Sequence, residues 1–127
     1  MSKTKNQDIE VNVDSAYIAT SSEPAAARYV FAYSIRIKNN SDTVAQLVSR
    51  HWLITDSNGK TQEVHGEGVV GEQPHIQPGE SYQYTSGAVI ETSVGAMKGS
   101  YDMLTADGEK FSTNIPSFSL SIPRTLH

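Results

Sequence analysis

The sequence predicts an all-β protein, an antiparallel β-sandwich of about seven to eight strands. Three observations point there. Nearly every apolar segment alternates with period two, and turn-forming residues recur every ~8–12 positions. Nothing longer than one turn carries a helical 3.6-residue period. At 127 residues the chain is expected to fold as one domain, 1–127, able to bury a core of its own.

The first strand sets Ile9, Val11, Val13 and Tyr17 against Glu10, Asn12 and Asp14. Glu23-Pro24-Ala25-Ala26-Ala27-Arg28 suits a single helical turn, with Pro24 early, where its missing N–H is no loss. In the second strand Tyr29, Phe31, Tyr33, Ile35 and Ile37 face one way and Ser34, Arg36 and Lys38 the other, one face in the core and one in water. Asn39-Asn40-Ser41-Asp42 then bends the chain.

Residues 44–56 read as a longer strand with mixed faces. Val44, Val48, Trp52 and Ile54 share a side with Gln46 and Arg50, while Leu47 and Leu53 sit opposite with His51. That pattern predicts a bulge or contacts on both sides. Asp56-Ser57-Asn58-Gly59 leads into 61–64, and Asn-Gly is a strong hairpin signal because both residues tolerate positive φ. Asp107-Gly108 repeats the device between 100–105 and 110–115. Tyr82, Tyr84, Ser86 and Ala88 alternate in another strand, and Phe118, Leu120 and Ile122 form a last one before Pro123. The one long connection, 66–79, exceeds the usual loop length and is the candidate functional loop.

Net charge is −4 and the ten Lys and Arg are scattered, so there is no basic stripe and nucleic acid is not an expected partner. Absence of cysteine excludes disulfides, thiolate metal sites and cysteine nucleophiles. The polar stretch 1–8 has no apolar segment behind it, and no run approaches the ~18 residues of a membrane span. A cytoplasmic protein without membrane contact is the expectation.

Gly66-Glu67-Gly68-Val69-Val70-Gly71 has the GxGxxG spacing of dinucleotide cradles. Pro74, Pro78 and Gly79 follow at once and forbid the helix whose N-terminus would hold the pyrophosphate. Two readings stay open. The glycines form a nest of N–H groups for a phosphate or carboxylate, with Arg50 or Lys60 adding charge. Alternatively they only permit a tight loop anchored by Val69 and Val70. Glu67 and Glu72 favour the second. Arg50, Gly66, Gly68 and Gly71 are therefore the candidate anion- or partner-binding residues.

In Arg50-His51-Trp52, Arg50 and Trp52 share a strand face and His51 takes the other. Trp52 is expected in the core with its N–H paired. Arg50 either caps the core edge, holds the glycine loop, or forms a binding pair with an exposed Trp52. His51, His65, His75 and His127 show neither HxH nor HxxxH spacing and the acids do not cluster, so no metal site or other cofactor is expected. Ser86, in Thr85-Ser86-Gly87, is not a nucleophile elbow, and no catalytic constellation is apparent. Tyr82, Tyr84, Tyr101, Phe111 and Phe118 read as cross-strand core pairs rather than a ligand cage. Open sheet edges are able to dock a partner strand or a second copy of the chain.

The stretch 50–56, then Asn58-Gly59, then 64–74 resemble the bacterial ApaG family, also called CorD. The likeness continues through Pro78-Gly79-Glu80, 84–87, 95–101 and Ile115-Pro116-Ser117-Phe118, covering nearly the whole chain in order. The resemblance implies a sandwich of the fibronectin type III or immunoglobulin-like kind. It also brings associations: cobalt resistance, magnesium efflux, a neighbouring gene for a diadenosine tetraphosphate hydrolase, and related domains in eukaryotic F-box proteins. The expected function is a non-enzymatic binding or interaction domain with a protein partner. The alternative is nucleotide-polyphosphate or other anion binding at 66–71.

Overall fold

The computed structural model describes residues 8–123. His127 and the polar stretch before Asp8 lie outside the described residues. Eight strands run in chain order as β1 (Ile9–Tyr17), β2 (Tyr29–Asn39), β3 (Ala45–Asp56), β4 (Thr61–Glu67), β5 (His75–Ile76), β6 (Ser81–Ile90), β7 (Val94–Thr105) and β8 (Lys110–Ser121). Every paired strand is antiparallel. One sheet has the order β1-β2-β6 and the other β4-β3-β7-β8, with β5 added to β3. This is the predicted sandwich. The expected helical turn exists as a 3-10 turn at Pro24–Ala26, and no helix among the described residues is long and apolar enough to cross a membrane.

The mixed faces of β3 resolve into a bulge. Its register against β7 shifts between Leu47 and Ser49, so Ala45 and Leu47 point inward before the slip, and Trp52, Ile54 and Asp56 after it. One extra residue changes the parity of every side chain beyond it. Leu47 thus joins the core, contrary to a single alternation through the strand. Trp52 lies at the centre, 2% exposed, with Tyr33 edge-on at 5.3 Å and Phe118 edge-on at 5.9 Å. Its indole N–H, expected to be paired, has no hydrogen-bond partner among the described residues. Tyr84 of one sheet and Tyr101 of the other join phenol to phenol at 2.5 Å. Burial pushes both phenols above the ordinary tyrosine range.

Two expectations need correction. Residues 110–115 and 118–121 form one continuous strand, with Ile122 just past its end, because the irregularity opposite Lys98 absorbs Pro116 and Ser117 while β8 stays paired with β7 on both sides. The long connection 66–79 is not one loop either. β4 runs through Gly66 to Glu67, and β5 pairs with Ala45 and Gln46 on the edge of β3 that β4 uses farther along. Only a short excursion bridges them, and it crosses the β3 bulge.

Candidate functional site

The glycine motif closes on itself. Gly68 N donates to the carbonyl of bulged Val48 at 2.7 Å, while Val69 N and Glu72 N each donate to the other's carbonyl at 2.8 and 2.9 Å. Gln73 Nε2 also donates to Val48 O, at 2.9 Å, and Leu47 N to Pro74 O at 3.0 Å. The bulge thus turns a backbone carbonyl outward, and the loop satisfies it. Val69 is 0% exposed and plugs the space beneath.

Arg50 holds this arrangement from the side. It stands opposite Gly66 in the β3–β4 register, and its guanidinium occupies the place where a side chain would otherwise begin. A Cβ on Gly66 would lie 2.7 Å from Arg50 Cζ. From there Nη1 donates to Glu67 O at 3.2 Å and Gly68 O at 2.7 Å. Gly68 itself, at φ 64, lies so near the loop's return that a Cβ would fall 2.1 Å from Glu72 O. Arg50, Gly66 and Gly68 therefore come together as one clamp, while Gly71 lies in the turn beyond it with nothing within 4 Å of where its Cβ would stand. The N–H groups of Gly68, Val69 and Glu72 are committed to the protein's own carbonyls, which leaves a phosphate without those donors. Lys60 is elsewhere, paired with Glu91 at 2.9 Å, and the Glu91 hydrogen bond raises its pKa.

One side chain departs from the expected plug. Val70 is 61% exposed rather than tucked inward. It and Gly71 take φ 47 and φ 79 between the bridged residues Val69 and Glu72, the double positive φ of a mirror-image hairpin turn. Such turns favour Asn, Asp or Gly, and a β-branched residue there is strained by roughly 1–2 kcal/mol. The clamp holds an apolar side chain in water at the end of a rigid loop.

On the opposite face of β3 the structure gathers residues that reading along the chain kept apart. His51 pairs directly with His65 across the hairpin; their rings stack with centroids 4.3 Å apart and 22° between planes. Glu63, two residues before His65 and so on the same face, places Oε2 2.7 Å from His51 Nε2 and 3.4 Å from His65 Nε2. His51 holds the Glu63 carboxyl below its usual range, through a hydrogen bond first and charge second. The expectation of no compact ligand set rested on spacing along one strand. The signal that would have found it is the Asn58-Gly59 turn, since folding about it sets residue 65 opposite 51. His75 sits apart on β5.

The ApaG domain family model matches residues 19–105, from the segment before β2 to the end of β7. The chain is 54% identical to Protein ApaG of Azoarcus sp. (strain BH72) and 53% to Protein ApaG of Thiobacillus denitrificans, each over 127 residues and 100% of both chains. Among solved structures, a protein described as ApaA from Bordetella pertussis superposes with TM-score 0.90 at 45% identity, covering 93% of this chain and 96% of that one. Full-length identity above half and a shared sandwich leave one conclusion: this chain belongs to the ApaG domain family.

Proposed function

We propose that the chain is a non-enzymatic, cytoplasmic binding module that presents the Val70-tipped loop to a partner protein. The observation that carries this reading is Val70 itself, an exposed β-branched residue held at φ 47. Backbone strain persists where the surroundings over-determine it, and it concentrates at ligand clamps and binding sites. Here the surroundings are the Arg50 clamp, the Val48 carbonyl and buried Val69. Asparagine or glycine would reverse the chain with less strain, so the side chain, rather than the turn, accounts for the valine. Exposed Glu67 and Glu72 flank it, which suits a partner with a shallow apolar socket rimmed by basic groups. A preformed loop docks at a lower ordering cost than a mobile one.

The test is a photo-crosslinking residue at position 72 in cells producing the full chain, with and without Val70→Asp. One protein captured in the first case and lost in the second supports the reading. Capture that ignores Val70→Asp, or capture of a second copy of the chain alone, overturns it.

A further inference from the structure

We infer that His51, Glu63 and His65 form a binding site for a divalent transition cation of the zinc type, on the outer face of the β3–β4 hairpin and remote in role from the Val70 loop. The donor set has the right chemistry: two imidazole nitrogens and one carboxylate oxygen, the mixed ligands that borderline-soft first-row ions take. It also has the right dimensions. The three donor atoms lie within 4.8 Å of one another. A tetrahedral ion bound at ~2.0–2.1 Å needs its ligands about 3.3 Å apart. His65 Nε2 and Glu63 Oε2 already stand 3.4 Å apart; His51 Nε2, at 2.7 Å from the same oxygen, has to back away, and the two stacked rings, 22° apart, have to tilt open so that both in-plane lone pairs converge on the ion.

Placement on paired strands supplies rigidity. His51 and His65 are register partners, so their Cβ separation is set by the ladder and not by loop closure. The turn that closes the same hairpin, four register positions beyond the His51–His65 pair, is fixed by the Asp56 carboxylate, whose Oδ1 accepts from Asn58 N and Lys60 N at 2.9 Å each. Side-chain exposures of 37% for His51, 71% for His65 and 58% for Glu63 leave an entry path from water. Three protein ligands on an open sheet face leave the fourth position to water, so the site is exchangeable rather than closed. Arg50 on the same strand points inward to Glu67 and Gly68 and brings no cation to this face.

The experiment titrates zinc chloride into the untagged full chain, followed by calorimetry and by the ring-proton resonances of the histidines. Saturation at one zinc per chain is expected, with shifts at His51 and His65. Outer-sphere partners alone are worth about 10–100-fold in affinity, so deleting a ligand by His51→Ala or His65→Ala should weaken binding at least tenfold, and Glu63→Gln should weaken it as well. His75→Ala should change nothing. All four side chains lie at the surface, and equal melting temperatures without zinc verify that the variants fold. Absence of saturable binding at millimolar zinc overturns the site. So does undiminished binding in His65→Ala, or equal loss in His75→Ala.

Discussion

The two ends of β4 reverse the chain equally tightly by different physical means. At its start, Asp56 caps the turn through its carboxylate, and Gly59 takes φ 82 with nothing within 4 Å of where a Cβ would stand. Thr105 does the same for β7–β8, its hydroxyl accepting from Glu109 N at 3.0 Å beside Gly108 at φ 90. These turns are made of local chemistry. Beyond its other end, the 69–72 turn places Val70 where local preference disfavours it; it is anchored by its own buried Val69 and held from elsewhere in the fold by Val48 and Arg50. A turn that only reverses the chain uses residues that want to turn. The 69–72 turn is instead held against its local preference by contacts from outside it.

The widest perturbation is alkaline pH, which undermines the shared core at the Tyr84–Tyr101 pair, opposite Arg50. Burial holds the Tyr84 and Tyr101 phenols protonated in the folded chain, whereas unfolded tyrosines ionise near pH 10. Folded values raised above unfolded ones mean a contribution that is complete below about pH 10 and lost as pH climbs through the folded values. The urea midpoint should drop steeply above pH 10, with less dependence in the Tyr84→Phe, Tyr101→Phe double variant. If amides at 57–60 and 68–72 lose protection at different pH, the ends do not share one core.

Gly68→Ala should cost about 3 kcal/mol in urea unfolding, because its Cβ meets the Glu72 carbonyl oxygen at 2.1 Å. Gly59→Ala should cost only about 1 kcal/mol, the price of positive φ without a clash. Equal losses would erase the distinction between the two ends. Arg50→Met removes charged donors from two carbonyls, for about 1–3 kcal/mol; hydrogen exchange should quicken at 68–72 and stay unchanged at 57–60. Val70→Asn gives the smallest effect and reverses its sign. It should stabilise the chain by about 0.5–1 kcal/mol through relief of strain while weakening partner capture, and a destabilised Val70→Asn chain would refute strain at the tip.

Much of the sandwich was legible because period-two alternation survives without knowledge of the partner strand. Tyr29, Phe31, Tyr33, Ile35 and Ile37 declared their face, and Asn58-Gly59 and Asp107-Gly108 declared their turns. The mixed pattern of 44–56 announced a bulge without saying where. Its position at Val48 follows from β7, where register against Met103 and Asp102 slips. Arg50 and the glycines were legible as a group, since their types are unusual together, but which of several roles Arg50 played was not. A carbonyl left free by the bulge, and the space over Gly66, exist only once β3 and β4 are side by side. The His51–Glu63–His65 grouping does not show in the spacing of ligand residues along one strand, because the hairpin makes neighbours of residues fourteen positions apart (51 and 65).

The amino-acid sequence by itself determined the strand-rich class, the local turns and the side of most strands that faces water, because those depend on each residue's own backbone preference and on burial with period two. Only the tertiary structure decided which carbonyls the glycine loop satisfies, that Val70 stands outward, and that two histidines and a glutamate meet. Each of these depends on distances between segments far apart in the chain, which strand pairing sets and local propensity does not encode.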